Sequence, residues 1–273
     1  MTATTPLLEI AGLRISAAGR PVVNGVDLVV GRGESVGIVG ESGSGKSLTC
    51  RAALGIVPDT LTVSADRLAF DGIDLAGLSE RRWRAVRGGR IGAVFQDPAS
   101  YLNPSLTVGR QLAEVLRVKT QRSRADARRE AVDALDRLGL RDPARVATRY
   151  PHELSGGMLQ RVLIAIAIIE QPDLLIADEP TTALDATVQA EVLDVLADLR
   201  RDSGLALLFV SHDLAVVAQV CERILVMKDG VVVESGATVD VLADPRHPYT
   251  ASLIAAHREY GLDRIRHGED VRV

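Results

Sequence analysis

The chain has 273 residues, 47% of them hydrophobic and 25% charged, and a net charge of −4. That length suits one large α/β domain with a substantial core rather than two or more full domains. The composition argues against extended disorder, and the negative balance gives no general attraction to nucleic acid. The longest purely apolar run, Val162 to Ile169, stops at Glu170, well short of the roughly 20 residues a membrane-spanning helix needs. The opening "MTATTPLLEI" has neither the basic nor the apolar region of a secretory signal, so the expected location is cytoplasmic. Cys50 and Cys221 form no CxxC pair and read as reduced structural thiols.

In chain order, "LLEIAGLRI" and "VVNGVDLVV" read as strands separated by turn residues. "ESVGIVG" is a short buried strand that feeds a glycine loop, and "KSLTCRAALGIVP" is a helix closed by Gly55 and Pro58. From about Leu102 to Leu154 the pattern turns helical. In "SRADARREAVDALDRLGL", Ala127, Ala131, Leu135 and Leu138 recur at helical spacing between an N-cap, Ser123, and a C-cap glycine, Gly139. "DLLIAD", "LALLFV" and "RILVM" then alternate with helices such as "ATVQAEVLDVLADLRR", as in a parallel sheet covered on both faces.

"GESGSGKS", Gly40 to Ser47, fits G-x-x-x-x-G-K-[ST], in which glycines let successive backbone N–H groups curl around a polyphosphate. Only Lys46, Lys119 and Lys228 are lysines among 32 basic residues, so a lysine at this one position of an arginine-rich chain sharpens the match. A compact ammonium reaches phosphates where a planar guanidinium does not fit. Ser47 offers a hydroxyl to Mg²⁺, and "LLIADE" ends a buried strand with Asp178, placed as a metal carboxylate. Glu179 follows directly and is the candidate base for water. His212 in "VSHD" follows another apolar strand and is a candidate sensor of the γ-phosphate. His152, His247, His257 and His267 read as structural or surface residues. "ELSGGMLQR", Glu153 to Arg161, opens a second helix with serine and glycines, a second offer of N–H groups to an anion in a chain that already has a phosphate loop.

Together these elements resemble the nucleotide-binding subunit of ABC transporters over almost the whole chain. Walker A is Gly40, Glu41, Ser42, Gly43, Ser44, Gly45, Lys46 and Ser47, with Leu48 beginning the helix; Gln96 in "FQDP" matches the Q-loop. "LSGGM" matches the signature, "LLIADEP" the Walker B strand with its glutamate, Ala183 to Asp185 the D-loop, and His212 the switch histidine. The resemblance implies a P-loop NTPase cassette with a mainly parallel sheet core, an antiparallel β subdomain and an inserted helical subdomain at about residues 97–160. A short C-terminal segment would follow at about 244–273. It further implies ATP and Mg²⁺ as cofactors, Ser47, Gln96 and Asp178 at the metal, and Glu179, His212 and Gln96 in catalysis. Cassettes of this family dimerise head to tail, so Ser155, Gly156 and Gly157 would meet the γ-phosphate of ATP held by a partner's Walker A loop; Asp185 of the D-loop is implied as a further nucleotide-binding residue.

Finer resemblance, in "FQDPASYLNPSLTVGRQLAE" and "DPRHPYTASLIAA", points to the peptide and nickel importer subfamily. The implied partners are two integral membrane permease subunits docked at Gln96 and the following helices, a second homologous ATPase (or an identical copy) and an extracytoplasmic solute-binding protein. The implied place is the cytoplasmic face of the membrane, and the solute class, peptide or nickel or metallophore, stays open. Ala17 stands where the family usually has an aromatic residue on adenine, with the stem of Arg20 nearby as an alternative. Met158 and Leu159 are apolar where polar residues are common. The segment after Tyr249 has no cysteine, so no iron–sulfur cluster is expected. A soluble ABC ATPase acting on DNA or ribosomes is the competing reading, disfavoured by the single cassette without a long heptad run. An unrelated P-loop kinase has no use for the LSGG segment.

Overall fold

The computed structural model describes residues 5–119, 122–182 and 184–258. The chain begins with β1 (Leu8–Ala17) and β2 (Arg20–Val30), then β3 (Ser35–Val39), α1 (Lys46–Ala53), β4 (Leu61–Ser64), β5 (Arg67–Phe70) and β6 (Ile73–Asp74). Next come α2 (Glu80–Val86) and β7 (Ile91–Val94), then the helices α3 (Pro98–Tyr101), α4 (Val108–Lys119), α5 (Arg124–Arg137), α6 (Pro143–Ala147) and α7 (Gly156–Ile168). The remainder is β8 (Leu174–Asp178), α8 (Ala186–Ser203), β9 (Ala206–Ser211), α9 (Leu214–Val220), β10 (Arg223–Lys228), β11 (Val231–Ala237), α10 (Thr238–Ala243) and α11 (Pro248–Arg258).

Two sheets result. The larger has the order β11-β10-β3-β9-β8-β7 and is parallel except for the hairpin partner β11. The smaller is antiparallel, β2-β1-β5-β6, with β4 also on β1. The period-two alternation of side chains decides how they stack. In β9, Ala206, Leu208 and Val210 join the core shared with the antiparallel sheet, α1 and α2; Leu207 and Phe209 join the core shared with α4 to α9. β8 divides likewise, Leu174 and Ile176 against Leu175 and Ala177. A strand buried on both faces must be apolar at every position, which is why these strands read as continuous runs.

The helical stretch between β7 and β8 carries its own logic. Ser123 caps α5 by accepting the Asp126 N–H at 3.2 Å, and Ala127, Ala131, Leu135 and Leu138 are at most 1% exposed. Helices α3 to α7 run from Pro98 to Ile168, and the end of α7 lies close against β7, where Gly92 leaves no room for a side chain beside the Ala167 carbonyl. Among the described residues no helix is long and apolar enough to cross a membrane. Both cysteines are free and buried, and burial pushes both thiols up from their ordinary pKa.

Candidate nucleotide site

Strand register assembles the site. Val39 of β3 lies opposite Ser211 of β9, Val210 of β9 opposite Asp178 of β8, and Ala177 of β8 opposite Val94 of β7. Gly40, His212, Asp178 and Gln96 therefore all stand at or just past the carboxyl ends of neighbouring parallel strands, the edge where open α/β sheets bind ligands.

The loop Gly40–Ser47 turns tightly from β3 into α1. Gly40 has φ +153°, and a Cβ there would fall 2.1 Å from the Met227 carbonyl oxygen, so no other residue fits. No side chain caps α1, whose first N–H groups are left to an external anion. Ser44 Oγ is buried without a partner, a further donor pointing to a missing acceptor. Lys46 is 4% exposed and folds back to donate to the carbonyls of Gly40 (2.7 Å) and Glu41 (2.8 Å). Burial pulls its pKa down, opposed by Glu179, Asp178 and Glu41.

Across the loop, Ser47 Oγ donates to Asp178 Oδ1 at 2.9 Å. Desolvation raises the Asp178 pKa, opposed by the Ser47 bond, with the Glu179 charge adding to the rise. Hydroxyl and carboxylate oxygens are hard ligands suited to Mg²⁺, which keeps phosphate and water among its ligands. Among the described residues no group of three or more His, Cys, Asp or Glu could hold a metal unaided, so a cation here would also need phosphate oxygens.

Glu179 has left-handed backbone, φ +50°, unusual for a residue with a long side chain. Its N–H bonds the Val210 carbonyl at 2.9 Å, and its carboxylate accepts from Thr182 Oγ1 at 2.9 Å. His212 Nδ1 lies 3.4 Å from the same carboxylate oxygen. Thr182, which sequence reasoning passed over, thus orients the candidate base. Gln96 is exposed at the end of β7, followed by Asp97 with φ +64°. The β1–β2 hairpin flanks the loop, with Val23 touching the space beside Gly45; Ala17 is half-buried and Arg20 exposed at its tip.

The second anion-offering segment lies elsewhere on the surface. Ser155 caps α7 by accepting the Met158 N–H at 3.4 Å, and Ser155 and Gly156 are exposed. Gly157 is buried against α8, where a Cβ would come 2.2 Å from Val188 Cγ1. Asp185 caps α8 by accepting the Val188 N–H at 3.0 Å, so the signature and the end of the D-loop share one patch; Ala183 lies outside the described residues. No hydrogen bond joins Ser155–Gly157 to Gly40–Ser47 among the described residues. Leu159 is 9% exposed and belongs to the core, which explains its apolar character.

The chain is similar to known proteins in sequence and in fold. The ABC transporter family model matches residues 23–182. A protein from Brucella melitensis named for peptide import and ATP binding is 47% identical over 94% of this chain and 79% of its own length. The dipeptide transport ATP-binding protein DppD of Escherichia coli is 45% identical over 89% of this chain and 75% of its own. Among solved structures, a dimeric ATP-binding cassette in a post-hydrolysis state with ADP and Pi is 29% identical with TM-score 0.75, covering 85% of this chain and 98% of its own. The structure of cbiO1 from Clostridium perfringens, part of the ABC transporter complex cbiONQ, is 27% identical with TM-score 0.78, covering 96% of this chain and 98% of its own. The chain belongs to the ABC transporter family and is one of its ATP-hydrolysing cassettes.

Proposed function

We propose that this cassette powers import of peptide-like solutes through a membrane complex. Its relatives named for peptide and dipeptide transport support the solute class over nickel or a metallophore. Two integral membrane permeases, a second ATPase and an extracytoplasmic binding protein complete the proposed complex, with the chain on the cytoplasmic face of the membrane. The observation that supports the ATPase part of the reading is the Ser47–Asp178 contact next to the Glu179–His212 pair, both at the carboxyl edge of the parallel sheet beside the Gly40–Ser47 loop.

In this reading the N–H groups of Gly43 to Leu48 and the Lys46 ammonium bind the phosphates, and Lys46 leaves its own carbonyl partners to do so. Ser47, Asp178 and Gln96 would hold Mg²⁺, which supplies charge neutralisation at the β- and γ-phosphates. Glu179, steadied by Thr182, orients water and accepts its proton, a contribution of about 10²–10⁴-fold. His212 links the γ-phosphate to Glu179 and, through Asp213, to the start of α9, whose Ala215 N–H the Asp213 carboxylate accepts at 2.8 Å. Ser155, Gly156, Gly157 and Asp185 close over the nucleotide of a partner cassette. Loss of γ-phosphate then releases the pair, the two-state element that moves the permeases.

The test is a Glu179→Gln chain, tagged and purified in mild detergent with Mg-ATP. Expected are an ATP-trapped cassette pair, turnover down at least about a hundredfold, and co-purification of two membrane subunits with a second ATPase. Unchanged turnover removes Glu179 as the base. Recovery of ribosomal or DNA-bound partners instead overturns the transport reading.

A further inference from the structure

The segment "HPYT" is more than a proline-started helix. Tyr249, on the first turn of α11, is 7% exposed, and its hydroxyl accepts the backbone N–H of Glu41 at 3.0 Å across 208 residues of sequence. Glu41 is the second residue of the phosphate loop. A phenylalanine would fill the same apolar space, so packing does not call for the hydroxyl; a buried tyrosine hydroxyl takes a hydrogen-bond partner, and here its oxygen accepts from the loop.

Tyr249 is held both through the backbone around it and through its ring. The Glu234 carboxylate of β11 accepts the N–H groups of Arg246 (2.8 Å) and His247 (3.1 Å), fixing the approach to α11. His247 Nδ1 accepts the Tyr249 N–H at 3.1 Å, which caps the helix start and accounts for a histidine otherwise read as structural. Lys228 Nζ, at the end of β10, stands 4.9 Å from the ring centroid, one residue beyond the Met227 carbonyl against which Gly40 packs. α11 also packs on α9, the helix that follows His212. One short helix thus touches the phosphate loop through Tyr249 and the switch side of the site through α9.

We propose that Tyr249 is a positioning residue for ATP binding: its hydroxyl anchors the base of the phosphate loop and makes nucleotide affinity depend on the docking of α11. This rests on the reading of Gly40–Ser47 as the nucleotide loop. The loop has left-handed backbone at Gly43 and Gly45, with φ +85° and +98°; glycine leaves such a segment many alternative conformations, which the anchor would restrict. Apparent affinity falls in proportion to the fraction of chains holding the binding-competent loop. Linkage is reciprocal, so bound ATP must in turn stabilise the docked α11.

Tyr249→Phe removes the hydroxyl and keeps the ring on Lys228. Equilibrium titration with ATP should show Kd raised about three- to tenfold, the size of one net hydrogen bond. kcat at saturating ATP should stay within about twofold, and the melting temperature without nucleotide should be close to that of the parent, since only the loop conformation is affected. An unchanged Kd overturns the proposal, as does a loss of kcat at unchanged KM. Hydrogen exchange on the unaltered chain tests the reverse direction without any variant: ATP should slow exchange at the amides of α11, and no slowing there refutes the linkage. If Lys46→Ala retains full affinity, the loop itself has been misassigned; if Lys46→Ala loses affinity while Tyr249→Phe keeps it, only the anchor falls.

Discussion

The phosphate loop and the signature segment both open helices with small residues, yet the chain finishes one and leaves the other half-made. Around the start of α1, Lys46 is 4% exposed, Ser47 touches Asp178, and the ends of β3, β9 and β8 close in from one side. At the start of α7, Ser155 and Gly156 face outward with only their own helix to cap, beside Asp185 in the same condition at the start of α8. The difference teaches that preorganised charge and a docking face are distinct designs. A buried lysine and carboxylate need neighbours to hold them, whereas exposed helix N–H groups on a patch need none, which suits the proposed role of meeting a nucleotide that a partner brings.

The comparison breaks most sharply at Lys46. Lys46→Ala should weaken ATP binding at least about a hundredfold, because a charge-assisted contact to two phosphates is lost from a dry loop. Titration of the isolated chain measures it, and near-normal affinity would mean that the loop does not hold the nucleotide. Ser155→Ala should do the opposite in kind. Binding to the single chain stays unchanged while ATP turnover of the assembled pair falls about tenfold, the loss of one charged hydrogen bond of ~1.5 kcal/mol. If the substitution weakens binding to a lone chain, the two segments serve one nucleotide and the contrast fails.

Much of this was legible beforehand, for reasons tied to period and spacing. Ala127, Ala131, Leu135 and Leu138 mark one face of α5 because a helix repeats every 3.6 residues, and all four are buried. The runs of β3, β8 and β9 marked strands covered on both sides, and the candidate residues just past them stand together because parallel strands share one carboxyl edge. What could not be read depends on contacts between distant positions. Nothing local tells that Thr182 steadies Glu179 or that Glu179 takes left-handed backbone. Likewise Leu159, in the sequence an apolar residue where polar ones are common, is a core residue because α7 turns that face inward. The Tyr249–Glu41 bond had a trace in "HPYT", but its partner lies in another motif altogether.

The smallest expected effect tests a tie that touches neither region, since Arg90 joins the two sheets that frame the phosphate loop. Its guanidinium donates to Asp71 (2.8 Å), in the turn of the antiparallel sheet, and to Asp173 (2.7 Å), just ahead of β8, while lying 5.1 Å from the Phe70 ring centroid. The Arg90 bond holds the Asp71 carboxyl below its usual range against the cost of burial, and Arg32 adds to it. A lowered carboxyl pKa adds stability that is fully present above the unfolded value, near ~4, and is lost as pH falls through the folded value. Asp71→Asn should therefore cost about 1 kcal/mol or less at pH 7, discounted for the partial exposure of the pair. The gap between the urea midpoints of parent and variant should close below about pH 4 as the parent's own carboxylate protonates. A gap that persists unchanged at low pH would assign the loss to altered turn geometry at Asp71, whose φ is +50°, rather than to its charge. ATP affinity should not move in this variant, because the joint frames the loop without touching it, and that silence separates a tie between sheets from an anchor on the nucleotide.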